Sequence, residues 1–344
     1  MFGPFRKERP FMGWIGYGGG STSLAQKSGG GAPITATGGD KSTSGDYTYH
    51  VFGSEIGSDA GVSANETLNA TFSVSAGGPW EIDILLAGGG GGGGGFAGGG
   101  GGAGALIIQT LEIDGAPVGD YPMRIGMPGD GGPSPGKGED GQPSLFGPGT
   151  PTPLEAPGGG GGGNGAFSGG YPGNPGGSGG GAGRGDNEAG NFGEGTENEF
   201  SPTGSPPGGY GHDGGNGEAA GGGGGGGGAG TGGAQANPGE GGGGGNGVGT
   251  VPWIPTTLPG GTYSWPSPTN PGMPYRNGLQ MWCGGGGGGG SDNPNGPARD
   301  GAGSGTTGNA QPYCGSGGGG AKGPGTPRAG GYGSRGVCVI RYLT

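Results

Sequence analysis

The chain has 344 residues, of which 115 are glycine and 32 are proline, and its formal net charge is −11. An acidic balance of this size excludes the basic footprint that nucleic-acid binding needs, and the absence of a strict three-residue glycine period excludes a collagen triple helix. The longest strongly apolar stretch, residues 82–87, is far too short to span a membrane, and the first twenty residues lack the apolar region of a signal peptide.

Many of the glycines stand in uninterrupted runs. The runs of four or more are 88–95, 98–102, 158–163, 221–228, 241–245, 284–290 and 317–320. A glycine run has no side chain to bury and loses more backbone entropy on ordering than other sequences. It is therefore either a flexible linker or a segment that backbone hydrogen bonds alone keep ordered. The Trp, Tyr, Phe and Pro residues between the runs favour the ordered alternative.

The ordered form that glycine runs favour is an extended helix of the polyproline II type. It has about three residues per turn and rises about 3.1 Å per residue, with no hydrogen bonds inside the helix. Neighbouring glycine helices can approach closely and bond N–H to C=O between them, because no Cβ intervenes. The sequence thus predicts a bundle of packed polyglycine II helices.

Residues 1–45 form the first region, which opens with MFGPFRKERPFMGWIGYGGG and is the most basic stretch of the chain. It has no hydrophobic periodicity that would let it bury itself, so we interpret it as a peptide that a partner holds. The anchoring candidates are Phe2, Phe5, Arg6, Lys7, Arg9, Phe11 and Trp14. The alternative is a contact of no functional importance.

Residues 46–146 are typical of a small β domain with a first glycine excursion at residues 88–102. Its predicted strands are short, rich in β-formers and bounded by Gly, Pro or Asp. They are Tyr47–Phe52, Leu68–Val74, Trp80–Ala87, Ala105–Ile113 and Tyr121–Ile125. Alternation in the third of these predicts that Glu81 and Asp83 face outward. No segment has helical periodicity, so almost no α-helix is expected.

Residues 147–335 are predicted to form a glycine-rich polyglycine II region with variable loops, and residues 336–344 are predicted to form a closing β-strand that pairs near Trp80–Ala87. The insert 251–282 is long, Pro-rich and aromatic. Its rigid aromatic side chains are the best candidates for contact with a receptor. They are Trp253, Tyr263, Trp265, Tyr275 and Trp282. Equally open is that these aromatics pack on one another to stiffen a long loop.

The predicted fold class is all-β and irregular, a small β-sandwich with an inserted polyglycine II bundle. This framework resembles the glycine-rich domain of tail-fibre and other virion structural proteins of marine bacteriophages. The resemblance rests on YTYHVF, on IDILLAGGGGGGGG followed by GGGGGAGALI, and on the terminal GVCVIRY. A looser likeness, based on glycine blocks alternating with aromatic inserts, is to polyglycine II adhesins at the tips of T-even-type long tail fibres.

The resemblance implies a virion protein that is made in the host cytoplasm and released by lysis. Implied partners are other virion proteins, bound through the N-terminal segment, and a glycan or protein of the host cell surface. Copies of the chain are expected to form a homo-oligomer, without nucleic acid or membrane insertion. The alternative is a structural decoration or fibre component that binds no receptor.

No catalytic, cofactor or metal site is predicted. His50 lies in a predicted strand and is interpreted as structural, while a metal or acid–base pair at His212 and Asp213 is the alternative to ordinary loop residues. The cysteines are interpreted as buried free thiols, with a Cys283–Cys314 disulfide as the alternative. A depolymerase would need a carboxylate pair on a rigid β scaffold, and the carboxylates here lie in glycine-rich loops.

Overall fold

A computed structural model describes most of the chain. The described residues are 32–53, 68–78, 80–113, 119–147, 153–165, 170–185, 191–195, 209–219, 221–248, 284, 286–291, 296–297, 302–305, 308–310, 315–323 and 328–344. The chain divides into two units, Met1–Gly30 and Gly31–Thr344, and all described residues belong to the second.

Eleven β-strands and no helix occur in the described part of the chain, which makes the fold all-β as predicted. The strands are β1 (Ala32–Thr37), β2 (Asp40–Ser44), β3 (Tyr47–Phe52), β4 (Leu68–Gly78), β5 (Trp80–Ala87), β6 (Leu106–Ile113), β7 (Gly119–Ile125), β8 (Ser144–Phe146), β9 (Leu154–Ala156), β10 (Gly209–Tyr210) and β11 (Val337–Leu343). The sequence pattern predicts β3 and β5 with these bounds, and it predicts β4, β6, β7 and β11 with ends that differ by a few residues.

The strands form two antiparallel sheets. The five-stranded sheet has the order β1-β4-β7-β8-β9, and the six-stranded sheet has the order β10-β6-β5-β11-β3-β2. The closing strand β11 lies between β5 and β3, with Val339 opposite Leu85 on one side and Val51 on the other. The predicted pairing of the chain end with β5 is therefore confirmed, and β11 is a central strand.

The hydrophobic core lies between the two sheets. It is built from inward-facing side chains of both sheets, such as Phe72 and Ile125 from one and Ile84 and Ile340 from the other. Period-two alternation explains this arrangement, because successive side chains of a strand point to opposite faces. The same alternation leaves Glu81 exposed, as predicted.

The strands β1 and β2 lie within residues 1–45, which are predicted to be an anchoring peptide, so strands of both sheets occur ahead of the β domain predicted for residues 46–146. Two further strands, β9 and β10, lie in the glycine-rich region. The sequence DKSTS of β2 is polar because β2 is the edge strand beside β3. It therefore lacks the apolar alternation by which a half-buried strand is recognised.

Candidate functional site

The glycine runs continue the strands of the sandwich. Residues 88–95 extend β5, the chain reverses, and residues 98–105 return to β6. We call such extended segments rods, their sandwich ends the base, and their turns the distal end. The reversal uses Phe96 and Ala97, whose φ angles of 50° and 48° lie in the left-handed region.

A serine fixes one junction between strand and rod at the base. The hydroxyl of Ser144 donates to the carbonyl of Ala87 at 2.6 Å and accepts from the N–H of Gly126 at 2.8 Å. Ala87 is the last residue of β5, and Gly126 is the first residue of the rod that follows β7. One buried side chain thus joins both sheets at the point where rods start.

Hydrogen bonds of the rod 88–95 repeat every three residues. Its N–H groups donate in turn to the rod 98–105, the rod 136–142 and the segment 328–336. The donors to the first of these are Gly88, Gly91 and Gly94, with N···O distances of 3.0, 2.9 and 2.9 Å. Its carbonyls accept from three further segments, which are 126–133, 157–165 and 315–323. The rod is therefore bonded to six neighbours by backbone alone, with the repeat expected of about three residues per turn.

We call the set of rods joined by these backbone hydrogen bonds the lattice, and side chains are excluded from its interior. A Cβ placed on Gly91, Gly92 or Gly93 would overlap a backbone carbonyl, and each of the three glycines meets a different neighbour. The overlapped carbonyls belong to Gly160, Asp130 and Gly319. Each of the three residues in one turn of the rod therefore faces the backbone of a neighbouring segment, so an inner rod requires uninterrupted glycine.

Rods at the lattice edge have glycine only where they face a neighbour. In GYPGNPGG, residues 170–177, a Cβ on each third residue would overlap neighbouring backbone. Those residues are Gly170, Gly173 and Gly176. GHDGGNG, residues 211–217, repeats the spacing against one neighbouring rod. Most of the remaining positions carry side chains, and the side chain of Tyr171 is 52% exposed.

Short polar side chains complete hydrogen bonds between rods. Asp140 accepts the N–H of Gly161 at 2.7 Å and the side-chain amide of Asn174 at 3.0 Å. Asp213 accepts the N–H of Gly195 at 2.7 Å. The carboxylate of Asp213 therefore has a structural role, which favours the interpretation of the His212–Asp213 pair as ordinary loop residues.

His50 is fully buried between the sheets. The carbonyl of Gly38 lies 2.6 Å from Nδ1, so Nδ1 carries the proton and Nε2 accepts from the Tyr342 hydroxyl at 3.0 Å. Burial lowers the pKa of His50 below its ordinary value of 6.5, the bond to Gly38 opposes this, and the nearby charge of Lys41 adds to the lowering. The neutral ring is a hydrogen-bonded core group, as its position in a strand suggests.

Cys338 is a free thiol with no exposed surface. Burial raises its pKa above the ordinary value, so the reactive thiolate is disfavoured. The prediction of a buried free thiol is confirmed for this cysteine. Cys283 and Cys314 lie outside the described residues.

The predicted anchoring residues from Phe2 to Trp14 and the predicted receptor-contact residues from Trp253 to Trp282 lie outside the described residues, so both sets stay predictions. The residues that flank the aromatic insert are described and lie at the base. Val248 packs against the outer face of the six-stranded sheet, and Ala229 of the same apolar cluster donates its N–H to Gly284 at 2.7 Å.

Exposed side chains of the edge rods, such as Tyr171, are not among the site residues predicted from the sequence. The signal that identifies them is the local spacing of one glycine in three, which is visible in GYPGNPG but does not extend over the chain. Within the described ranges, no group of three or more His, Cys, Asp or Glu side chains is placed to hold a metal ion. The same ranges contain no helix that is long and apolar enough to cross a bilayer.

One family model, described as a glycine-rich domain, matches residues 63–343 and so covers the strands from β4 to β11 and the rods. The chain belongs to the glycine-rich domain family. The match starts ahead of β4 and ends at the last residue of β11, so this glycine-rich domain includes the sandwich strands from β4 onward and the lattice they support. A comparison with curated proteins gives no match.

Proposed function

We propose that this glycine-rich domain protein is a structural protein of a bacteriophage virion, a tail fibre or fibre-like appendage. In this proposal its rods are polyglycine II helices that display loops for host-receptor recognition and attachment. Support comes from the resemblance of the strand and glycine motifs to such proteins. The three-residue hydrogen-bond repeat of the rod 88–95 supports the polyglycine II assignment.

The observation that carries the proposal is the separation of scaffold from display. The lattice interior around Gly91 has no room for a side chain, whereas edge positions such as Tyr171 hold side chains in solvent. Turns and edge positions can therefore change in sequence without changing the rods. Such a scaffold suits recognition of variable host surfaces by many weak contacts, multiplied by copy number.

Other parts of the chain have complementary roles in the proposal. The basic and aromatic segment from Phe2 to Trp14 docks the protein on other virion proteins, and copies of the chain assemble as a homo-oligomer. The partner on the cell is a surface glycan or protein. A purely structural decoration without receptor binding is the alternative, and it would use the same lattice for stiffness alone.

Measuring the adsorption of virions to host cells distinguishes receptor binding from a purely structural role. Particles would carry Tyr171→Ala, or Trp253→Ala together with Trp265→Ala, with Tyr332→Ala as a matched control on an exposed tyrosine of another rod. We expect normal particle yield and slower adsorption for at least one of the first two variants, with the control unchanged. Wild-type adsorption by both variants would favour the structural alternative. Removal of residues 2–14 should yield particles that lack the protein.

A further inference from the structure

Two neighbouring rods on one side of the lattice each present a pair of partly or fully exposed side chains. The first rod is 136–142 and the second is 170–177. In each rod the two side chains are three residues apart, which is also the spacing at which the glycines of that rod meet neighbouring backbone. The members of a pair therefore lie on one edge of their rod, about 9 Å apart. The four side chains, which we call the Tyr171 stripe, are Lys137, Asp140, Tyr171 and Asn174.

A third segment, 157–165, aligns the two rods. On the first rod, the N–H of Gly138 donates to the carbonyl of Gly162 at 2.9 Å. On the second rod, the N–H of Asn174 donates to the carbonyl of Gly161 at 2.8 Å. Because the two acceptors are consecutive residues, both rods are bonded at the same height above the base, and the two pairs of side chains lie next to each other.

Three members of the stripe are joined by side-chain hydrogen bonds. The ammonium of Lys137 donates to Oδ1 of Asn174 at 3.3 Å, and Nδ2 of Asn174 donates to Oδ1 of Asp140 at 3.0 Å. The same carboxylate oxygen accepts the N–H of Gly161 at 2.7 Å. The two charges fix the orientation of the amide, since the cation needs an acceptor and the carboxylate needs a donor. The polar groups are therefore ordered before any ligand arrives, which lowers the entropy cost of binding.

These polar groups keep hydrogen-bonding capacity for a ligand. Both bonds to Asp140 use Oδ1, and this residue is exposed, so Oδ2 is able to accept a further bond. The ammonium of Lys137 has three donors, of which one is directed to Asn174. A hydroxyl group both donates and accepts, so neighbouring hydroxyls on one ligand match a carboxylate and an ammonium on either side of an amide.

The aromatic member of the stripe adds an apolar surface. Tyr171 is 52% exposed, so much of its ring is in contact with water. Its N–H donates to the carbonyl of Asn164 at 3.0 Å, which places it one turn further from the base than Asn174. A flat, solvent-exposed ring next to ordered polar groups suits a ligand with a flat apolar face and a polar rim.

The composition of the stripe favours a neutral glycan over other ligand classes. Its one cation and one anion cancel, so it attracts neither a polyanion nor a polycation. A single aromatic ring among three polar side chains provides less apolar area than the core of a protein–protein interface. A pyranose ring, by contrast, combines an apolar face that stacks on an aromatic ring with adjacent hydroxyls at its rim.

We propose that the Tyr171 stripe binds a neutral glycan. One pyranose unit stacks on the ring of Tyr171, and hydroxyls of the adjoining unit bond to Asp140, Asn174 and Lys137. The separation of about 9 Å between the two ends of the stripe exceeds one pyranose ring, so the ligand is an oligosaccharide or a polysaccharide. The claim that this glycan lies on a host cell rests on the function proposed above, whereas the binding itself is a property of the purified chain.

Affinity gel electrophoresis of the purified full-length chain tests the site with three probes, which are dextran, mannan and galactan. We expect at least one of these polymers to retard the wild-type chain. Tyr171→Ala should weaken that retardation at least about fivefold without lowering Tm, because the ring is exposed. Tyr171→Phe keeps the ring and should retain most of the binding, while Asp140→Asn should lose binding through the missing carboxylate. Tyr332→Ala, on another rod, is the matched control and should bind like the wild type.

Retardation by none of the three polymers would overturn the proposal, and so would retardation that Tyr171→Ala leaves unchanged. Adsorption of virions that carry Tyr171→Ala measures the role in attachment separately. Slow adsorption without binding of any polymer would overturn the glycan site and assign this surface to a protein receptor. Polymer binding that Tyr171→Ala abolishes, together with normal adsorption, would support the glycan site and count against its role in attachment.

Discussion

At the scale of single residues, a substitution at Gly91 tests whether close contacts between backbones stabilise the lattice. A Cβ at this position would overlap the carbonyl of Gly160, which belongs to another rod. We expect Gly91→Ala to lower the free energy of unfolding by about 1–3 kcal/mol or more, since the rods must separate to admit the methyl group. Chemical denaturation of the purified chain measures the change.

Gly232→Ala is the matched control for this substitution. Gly232 is exposed, and only one backbone oxygen comes within 4 Å of a Cβ built there, at 3.3 Å. The expected change is neutral or slightly stabilising, because alanine reduces the entropy of the unfolded chain. Equal effects of the two substitutions would show that the glycines around Gly91 are not closely packed.

His50 makes stability depend on pH. Burial lowers its folded-state pKa below 6.5, so between those two values the unfolded chain binds more protons than the folded chain. The stability contributed by the neutral ring is therefore fully present above pH 6.5 and is lost as pH falls through the lowered pKa. We expect Tm to decrease on acidification, and a thermal melt series in His50→Gln to show a shallower decrease.

The other histidine, His212, gives the control for this series. The decrease attributed to His50 should persist in His212→Gln, because that substitution leaves the bonds from the imidazole to Gly38 and Tyr342 intact. A pH profile for His50→Gln that matches the wild type would assign the decrease to other groups.

At the scale of elements, β3, β5 and β11 were predictable because each is a short run of β-formers with a glycine or aspartate beside it. The edge strand β2 was not, since its polar sequence forms a strand only through pairing with β3. The glycine runs predict close packing but not which rods are neighbours. Apart from the two arms of a hairpin, neighbours depend on contacts between segments that are far apart in sequence, such as that of Gly91 with Gly318.

The three-residue phase of a rod gives a prediction about insertions. One glycine added to each arm of the hairpin 88–105 rotates the distal half of each arm by about a third of a turn, which misdirects its hydrogen bonds. Three glycines added to each arm restore the phase and lengthen the hairpin by about 9 Å. Thermal unfolding should therefore show a larger loss of Tm for the shorter insertion. A loss that simply grows with insert length would indicate that the rods have no fixed phase.

At the scale of the whole molecule, sandwich and lattice depend on each other. The strand β5 continues directly into the rod 88–95. At the other end of the insertion, the segment 328–336 leads directly into β11, which pairs with β5 and β3. The sandwich therefore aligns the first and last rods, while the lattice keeps the long glycine-rich insertion compact. Closing so long an insertion costs little more entropy than closing a shorter one, because the cost grows only logarithmically with length.

This dependence predicts that glycine amides exchange as one unit with the strands. The N–H groups of Gly91, Gly92 and Gly93 are each bonded at 2.9 Å to different segments, so hydrogen exchange should protect them about as strongly as the amides of β5. Phe72→Ala removes a core side chain that has no exposed surface and costs about 3–5 kcal/mol, which should reduce the protection of β5 and of these glycines together. Fast exchange of the glycines beside a protected β5 would mean that the rods behave as linkers.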